Sequence, residues 1–226
     1  AYGYLVLPET LPRESRRPFS LARSNPIGVF KVFATYRQAL PLCIVMAMYF
    51  FATSVYPAIW AFWGIARFNW SEMTIGWTLS VFGLITAVVQ GGLTGPAVKW
   101  LGERNTTILA LATSVIAAAG YGVATGMSMV LILFLVHAPE GFAQPALTAL
   151  MSKDAPPDAQ GELQGGIASA QNLALLVGTV MFAQIFGYFL QDGSPIQSPN
   201  VAYFISAALG LAALAIFIRV TRSRPA

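Results

Sequence analysis

Charge is scarce in this chain, and so are the residues of redox and metal chemistry. Of 226 residues only 10% are charged, 13 Lys and Arg against 9 Asp and Glu, with one cysteine and one histidine. The cysteine, Cys43, lies inside an apolar run, so an intrachain disulfide is excluded and nothing points to an oxidising compartment. A single His and a single Cys spell out no metal-ligand cluster, and no motif sets a nucleophile beside His137, so no metal, no cofactor and no enzyme chemistry is expected. The basic residues form no stripe interleaved with aromatics, which argues against nucleic acid as a partner. A secretory signal is also lacking. Ala1 to Leu7 (1–7) reads instead as the last turns of an apolar helix stopped by Pro8, and further apolar sequence is expected to precede it.

What is present is hydrophobic: 56% of the residues are apolar, and the mean hydropathy is +0.65. Residues 8–37, with Arg13, Arg16, Arg17 and Arg23, read as an aqueous linker. It is expected to hold an interfacial helix opening at Asn25-Pro26 and presenting Phe30, Phe33 and Leu40 to the membrane surface. Six apolar segments follow at about 38–65, 73–98, 105–126, 128–151, 163–190 and 200–220, each exceeding the roughly 20 residues that cross a bilayer core. The fold class is therefore an all-α polytopic membrane protein with a six-helix bundle over 38–220 and a tail at 221–226. Sorted by the connections between segments, every Lys and Arg of the 13 except Arg67 falls on one side. That bias predicts that both ends are cytoplasmic.

The fourth segment carries the least ordinary residues. Met127 to Glu140 is thirteen steps, about 20 Å of helix, which sets a carboxyl near the bilayer midplane. His137, Glu140, Gln144 and Thr148 recur at helical spacing as one polar stripe, and a charge facing lipid there costs about 2.5–3.5 kcal/mol. The stripe is expected to face protein or a wet cavity, with Glu140 as the titrating or cation-binding group. The alternative is a buried pair satisfied by neighbouring helices. Gln90, aligned with Gly83, Thr86 and Thr94, and Gln171 with Asn172 read as further cavity residues or as helix-to-helix hydrogen bonds. Tyr56-Pro57-Ala-Ile-Trp60 predicts a kink, with the two rings either lining a cavity for a flat apolar drug or anchoring at the headgroups. Small residues at spacing four, Gly83, Ala87, Gly91 and Gly95 on the second segment and Gly166, Ala170, Ala174 and Gly178 on the fifth, predict close helix approach, and their pairing is what two three-helix repeats give. The uncharged third and sixth segments are expected to face lipid.

Several stretches then resemble a known family. Gly95-Pro-Ala-Val-Lys-Trp-Leu-Gly-Glu-Arg-Asn105 resembles the loop between the second and third helices of each half of the major facilitator transporters, with Lys99 where the family has an acid. Pro145-Ala-Leu-Thr-Ala-Leu-Met-Ser152, Gln160-Gly-Glu-Leu-Gln-Gly165, Ser169, Asn172 and Gly178 resemble the second half of tetracycline-resistance-type drug:proton antiporters. Leu7-Pro-Glu9, Arg17-Pro-Phe-Ser20, Asn25-Pro-Ile-Gly28 and Arg67-Phe-Asn-Trp-Ser71 fit the same subfamily. The resemblance implies the C-terminal half of a twelve-helix inner-membrane exporter with two inverted three-helix repeats, alternating access, a small-molecule drug as substrate and protons as coupling ions. Its partner is the N-terminal six-helix half, or a second copy. Substrate would meet Tyr56, Trp60, Gln90, His137, Gln144, Gln171 and Asn172, while Gly95, Lys99, Gly102, Glu103 and Arg104 would form the gating loop. The second- and fifth-segment ridges would then meet the other half. The subfamily places a His at the position of Thr86, an Asp at Ser114 and a glycine at Glu140, so Glu140 is expected to take over part of the coupling unless the acids lie in the other half. Transport of another small solute, or a non-transporting assembly module, is the alternative reading.

Overall fold

The computed structural model describes residues 32–153 and 155–222, and over them the regular elements are all helical, without a strand. Residues 1–31 and 223–226, and with them the end of the preceding helix, most of the linker and the tail, lie outside the described residues. The helices are α1 Leu40–Thr53, α2 Val55–Phe68, α3 Glu72–Val88, α4 Thr94–Val123, α5 Met127–His137, α6 Ala143–Ser152, α7 Gln160–Leu190 and α8 Val201–Arg222. Joined across short breaks they give five continuous stretches long and apolar enough to cross a membrane: Leu40–Phe68, Glu72–Val123, Met127–Ser152, Pro157–Leu190 and Val201–Arg222. The second, at 52 residues, is far too long for one crossing. It folds back at Gly102, whose φ of 74° suits a residue without Cβ. The Thr106 hydroxyl consequently donates to the Ala97 carbonyl at 3.2 Å, a contact that a straight helix forbids for residues nine apart. Six spans result.

Three further breaks follow from side-chain chemistry. The first span bends at Ser54, between α1 and α2, rather than at Pro57 itself. A proline disrupts the carbonyl four residues before it, here Thr53. In the second span a π turn, Val89–Leu93, precedes Thr94, whose hydroxyl bonds the Val89 carbonyl five residues back at 3.3 Å. In the fourth span Pro139 sits in a 3-10 turn, Ala138–Phe142, between α5 and α6.

Turn chemistry closes the ends. Asn69 ends α2 in the left-handed conformation (φ 55°), and Ser71 caps α3 by accepting from the Thr74 amide. Beside this turn the Trp63 indole donates to Asn200 Oδ1 at 2.9 Å. At the opposite end Lys153 pairs with Glu103 at 2.9 Å, and Arg104 Nε donates to the Thr221 hydroxyl at 3.1 Å. Arg67 thus lies at one end of the bundle and Arg104, Lys153, Arg219 and Arg222 at the other.

The core differs from expectation in three places. The third and sixth spans pack on each other, burying Ala110, Ser114, Ala117 and Tyr121 on one and Tyr203, Ser206 and Phe217 on the other; only their outer sides, with Ile116 and Leu211, remain exposed. Of the interfacial helix, Val32–Thr35 is a single described turn, and its Phe33 is buried in the core beside Leu163 and Ile167 instead of lying on the surface. The two small-residue ridges have opposite fates. A Cβ added at Gly83, Gly91 or Gly95 would meet nothing within 4 Å, so the second-span ridge is open. Gly178 is buried, and a Cβ there would fall 2.9 Å from the Phe51 carbonyl and against Ser54. The fifth-span ridge is therefore used inside the bundle, seated on the bend of the first span, and is not a docking face for another half. Gly178→Leu is expected to destabilise the chain by roughly 1–3 kcal/mol through overpacking. Gly83→Leu should change stability by less than about 0.5 kcal/mol. Thermal unfolding of the two purified variants in detergent checks the contrast.

Candidate functional site

Glu140 is the buried acid around which the centre of the bundle is arranged. His137, one helical turn earlier, brings Nε2 onto Glu140 Oε2; the imidazole is 3% and the carboxyl side chain 14% exposed. Tyr49 from the first span donates its hydroxyl to Glu140 Oε1 at 2.8 Å, and Ser114 of the third span lies beside the same carboxyl. The Tyr121 hydroxyl lies 3.4 Å from His137 Nδ1. The ring of Tyr56 sits 4.6 Å and that of Phe82 4.9 Å from the imidazole. Four spans therefore converge on one acid–imidazole pair.

This arrangement accommodates two proton counts. A neutral imidazole donates from Nε2 to the carboxylate and accepts at Nδ1 from the Tyr121 hydroxyl. An imidazolium donates from both nitrogens, with the tyrosine oxygen as acceptor. A proton can thus be gained or lost without leaving a donor facing a donor.

The polar stripe read from the fourth segment is split. A 3-10 turn advances about 120° per residue against about 100° in an α-helix, so the five residues Ala138–Phe142 rotate the rest of the span by roughly 100°. His137 and Glu140 consequently lie among the tyrosines, while Gln144 and Thr148 line a separate groove of about 600 Å³ with Gln90, Thr94, Ser152 and Gln164. Its polar walls are amides and hydroxyls, without a charge. On the other side His137 joins Tyr56, Pro57, Trp60, Thr78, Phe82, Tyr121 and Phe134 around a cavity of about 230 Å³. Glu140 lines neither space; its partner His137 lines the aromatic one alone.

The expected binding residues therefore divide. Gln90 and Gln144 share the polar groove; Tyr56, Trp60 and His137 share the aromatic cavity. Trp60 is 7% exposed and donates to the Thr78 hydroxyl at 3.2 Å, which rules out a headgroup anchor. Gln171 bonds Met46 Sδ across the first and fifth spans, and Asn172 is exposed, so neither joins the other groups. In the proposed gating loop Gly102 makes the turn, Glu103 and Arg104 tie it to the ends of the fourth and sixth spans, and Gly95 and Lys99 are exposed. Tyr49 and Tyr121 join the site without belonging to any of the expected groups. Tyr49 precedes Tyr56 by seven residues, two helical turns, and that spacing on one face is the signal the sequence offers for it.

A bundle of six apolar spans with an acid–imidazole pair at its centre is the architecture of a membrane-embedded domain. The sequence profile of the Major Facilitator Superfamily matches residues 2–179, and the chain belongs to that family. Tetracycline resistance protein class C of Escherichia coli is 31% identical over 209 residues, covering 92% of this chain and 52% of that protein. The class G protein of Vibrio anguillarum is 34% identical over 57% of this chain and 33% of its own length. The crystal structure of the human organic anion transporter MFSD10 (TETRAN) superposes with a TM-score of 0.80 at 20% identity, covering 95% of this chain and 53% of that one, which bears on the fold alone. The chain spans about half the length of the curated relative that matches most of it.

The loop at Gly102 carries a titratable tie. The Lys153 ammonium beside Glu103 holds its carboxyl below the ordinary value of 4.5. A carboxyl depressed on folding contributes stability above its unfolded value and loses it as pH falls through the folded one. Glu103→Gln is therefore expected to lower the unfolding midpoint slightly at neutral pH, as an exposed pair does. In acid, below both values, the variant and the parent should coincide. Melting curves of both proteins across that pH range check this.

Proposed function

We propose that the chain is one six-helix half of a proton-coupled exporter of tetracycline-like drugs in a bacterial inner membrane, with both ends cytoplasmic. The carrying observation is the His137–Glu140 pair, held by Tyr49 and Tyr121. Burying a carboxyl among apolar helices is costly and marks ion and proton pathways in membrane proteins. The resemblance to the tetracycline pumps puts an acid at the position of Ser114, and Glu140 reaches that same spot from the neighbouring span. In this reading the acid has moved from the third span to the fourth, and its partner His from the second span to the fourth, with the proton site kept between them.

The groove of Gln90, Thr94, Gln144, Thr148, Ser152 and Gln164 then forms this half's wall of the substrate passage. Uncharged donors and acceptors suit a ligand rich in oxygens, and a second six-helix half supplies the facing wall. Rocking of the two halves would open the passage alternately to each side while the pair loads or releases its proton.

Glu140→Gln in the assembled transporter should abolish drug export driven by a pH gradient while the protein remains folded and inserted. Unchanged export across pH 6–8 in membrane vesicles would overturn the coupling role, and concentrative transport by this chain as a demonstrated monomer would overturn the half-transporter reading. Single cysteines at 67 and 99 are expected to react with an impermeant thiol reagent from opposite sides, 67 from outside. Labelling of both from one side of intact cells would overturn the orientation.

A further inference from the structure

The aromatic cavity is bounded by a closed belt of six rings. Tyr56 lies 4.6 Å from His137, His137 4.9 Å from Phe82, and Phe82 5.2 Å from Phe134. Phe134 lies 5.7 Å from Trp60, Trp60 5.4 Å from Tyr121, and Tyr121 5.8 Å from Tyr56, which closes the circle. The rings come from four spans, so no single helix can shift to fill the space without separating two neighbours. Each ring is braced by the next in the tilted, stacked or edge-on geometry that aromatic pairs favour. Voids of this size are few in packed interiors, and apolar cavities of about 150 Å³ accept benzene. At about 230 Å³ this one has room for a fused two-ring molecule. Its rim carries Pro57 and Leu79, both exposed, so the space opens between the first and second spans.

Aromatic enclosures also attract cations, and the charges nearby decide between the two classes. The cavity wall is almost entirely carbon, and the nearest carboxylate, Glu140, is already engaged by His137 and Tyr49. A cation here would be buried without a free counter-charge, and cation–π attraction is smaller than that desolvation cost. A neutral ring meets no such penalty.

We infer that this cavity is a second binding site, distinct from the polar groove, for a neutral aromatic of one or two rings. An occupant stacks against these rings, of which His137 also holds Glu140. Occupancy of this site is independent of the transport reading, because binding is measured at equilibrium on the chain itself.

The test uses 6-fluoroindole followed by fluorine NMR on the purified chain in lipid nanodiscs. Saturable binding at one site, above simple partitioning into lipid, is expected. Leu79→Trp, which blocks the rim at an exposed position, should weaken it at least tenfold, and Phe134→Leu, which opens the belt, should weaken it several-fold. Naphthalene should compete, whereas N-methylquinolinium, of similar size but charged, and the linear chain of 1-decanol should not. Identical titrations for the parent and Leu79→Trp would overturn the site. Equal competition by the cation or by decanol would overturn the assigned ligand class.

Discussion

A carboxylate held inside an apolar helix bundle is the constraint on which the rest of this structure depends. Glu140 is satisfied by Tyr49 from the first span and by His137 from its own, with Ser114 of the third span beside it. Each partner in turn fixes the face its helix presents. Tyr49 and Tyr56 turn the first span inward on both sides of its bend. Tyr121 and Ser114 turn the third span toward the fourth, and that is why an uncharged segment suited to lipid is largely interior. A charged centre in hydrocarbon thus organises packing in a way that apolar contacts, which are interchangeable among Leu, Ile and Val, do not.

The bend at Ser54 and the glycine at 178 form the second fixed point. Pro57 opens the helix ladder one turn upstream, and Gly178 lets the fifth span settle into that opening. The close approach leaves the outer side of the fifth span, with Leu173, Leu176 and Val180, as a broad apolar surface. Bundle cohesion on this side rests on backbone proximity more than on interlocking side chains.

The spans, their number and the fold-back near Gly102 were legible in the sequence because hydropathy, length and the scarcity of charge are read directly by a bilayer. The sidedness of Arg67 against Arg104 and Lys153 was legible for the same reason. The acid and imidazole were legible as a pair from their spacing and depth, but their neighbours were not, since Tyr49 and Tyr121 reach them by tertiary packing. The four-residue polar stripe was misread because periodicity assumes α geometry, and the Pro139 turn departs from it. The Gly178 ridge was misread in a different way: small-residue spacing announces a close approach without naming the surface approached.

That Pro139 turn has a mechanical side. A 3-10 segment rises about 2.0 Å per residue and an α segment about 1.5 Å, so converting the five residues Ala138–Phe142 from one form to the other would shorten the fourth span by about 2.5 Å. The same conversion would swing Gln144 and Thr148 about the axis relative to His137. Axial travel and rotation are thus geared together in one turn of backbone, like the thread of a screw. Its pitch is set by the chain's own geometry, and the acid–imidazole contact sits at the head of that thread.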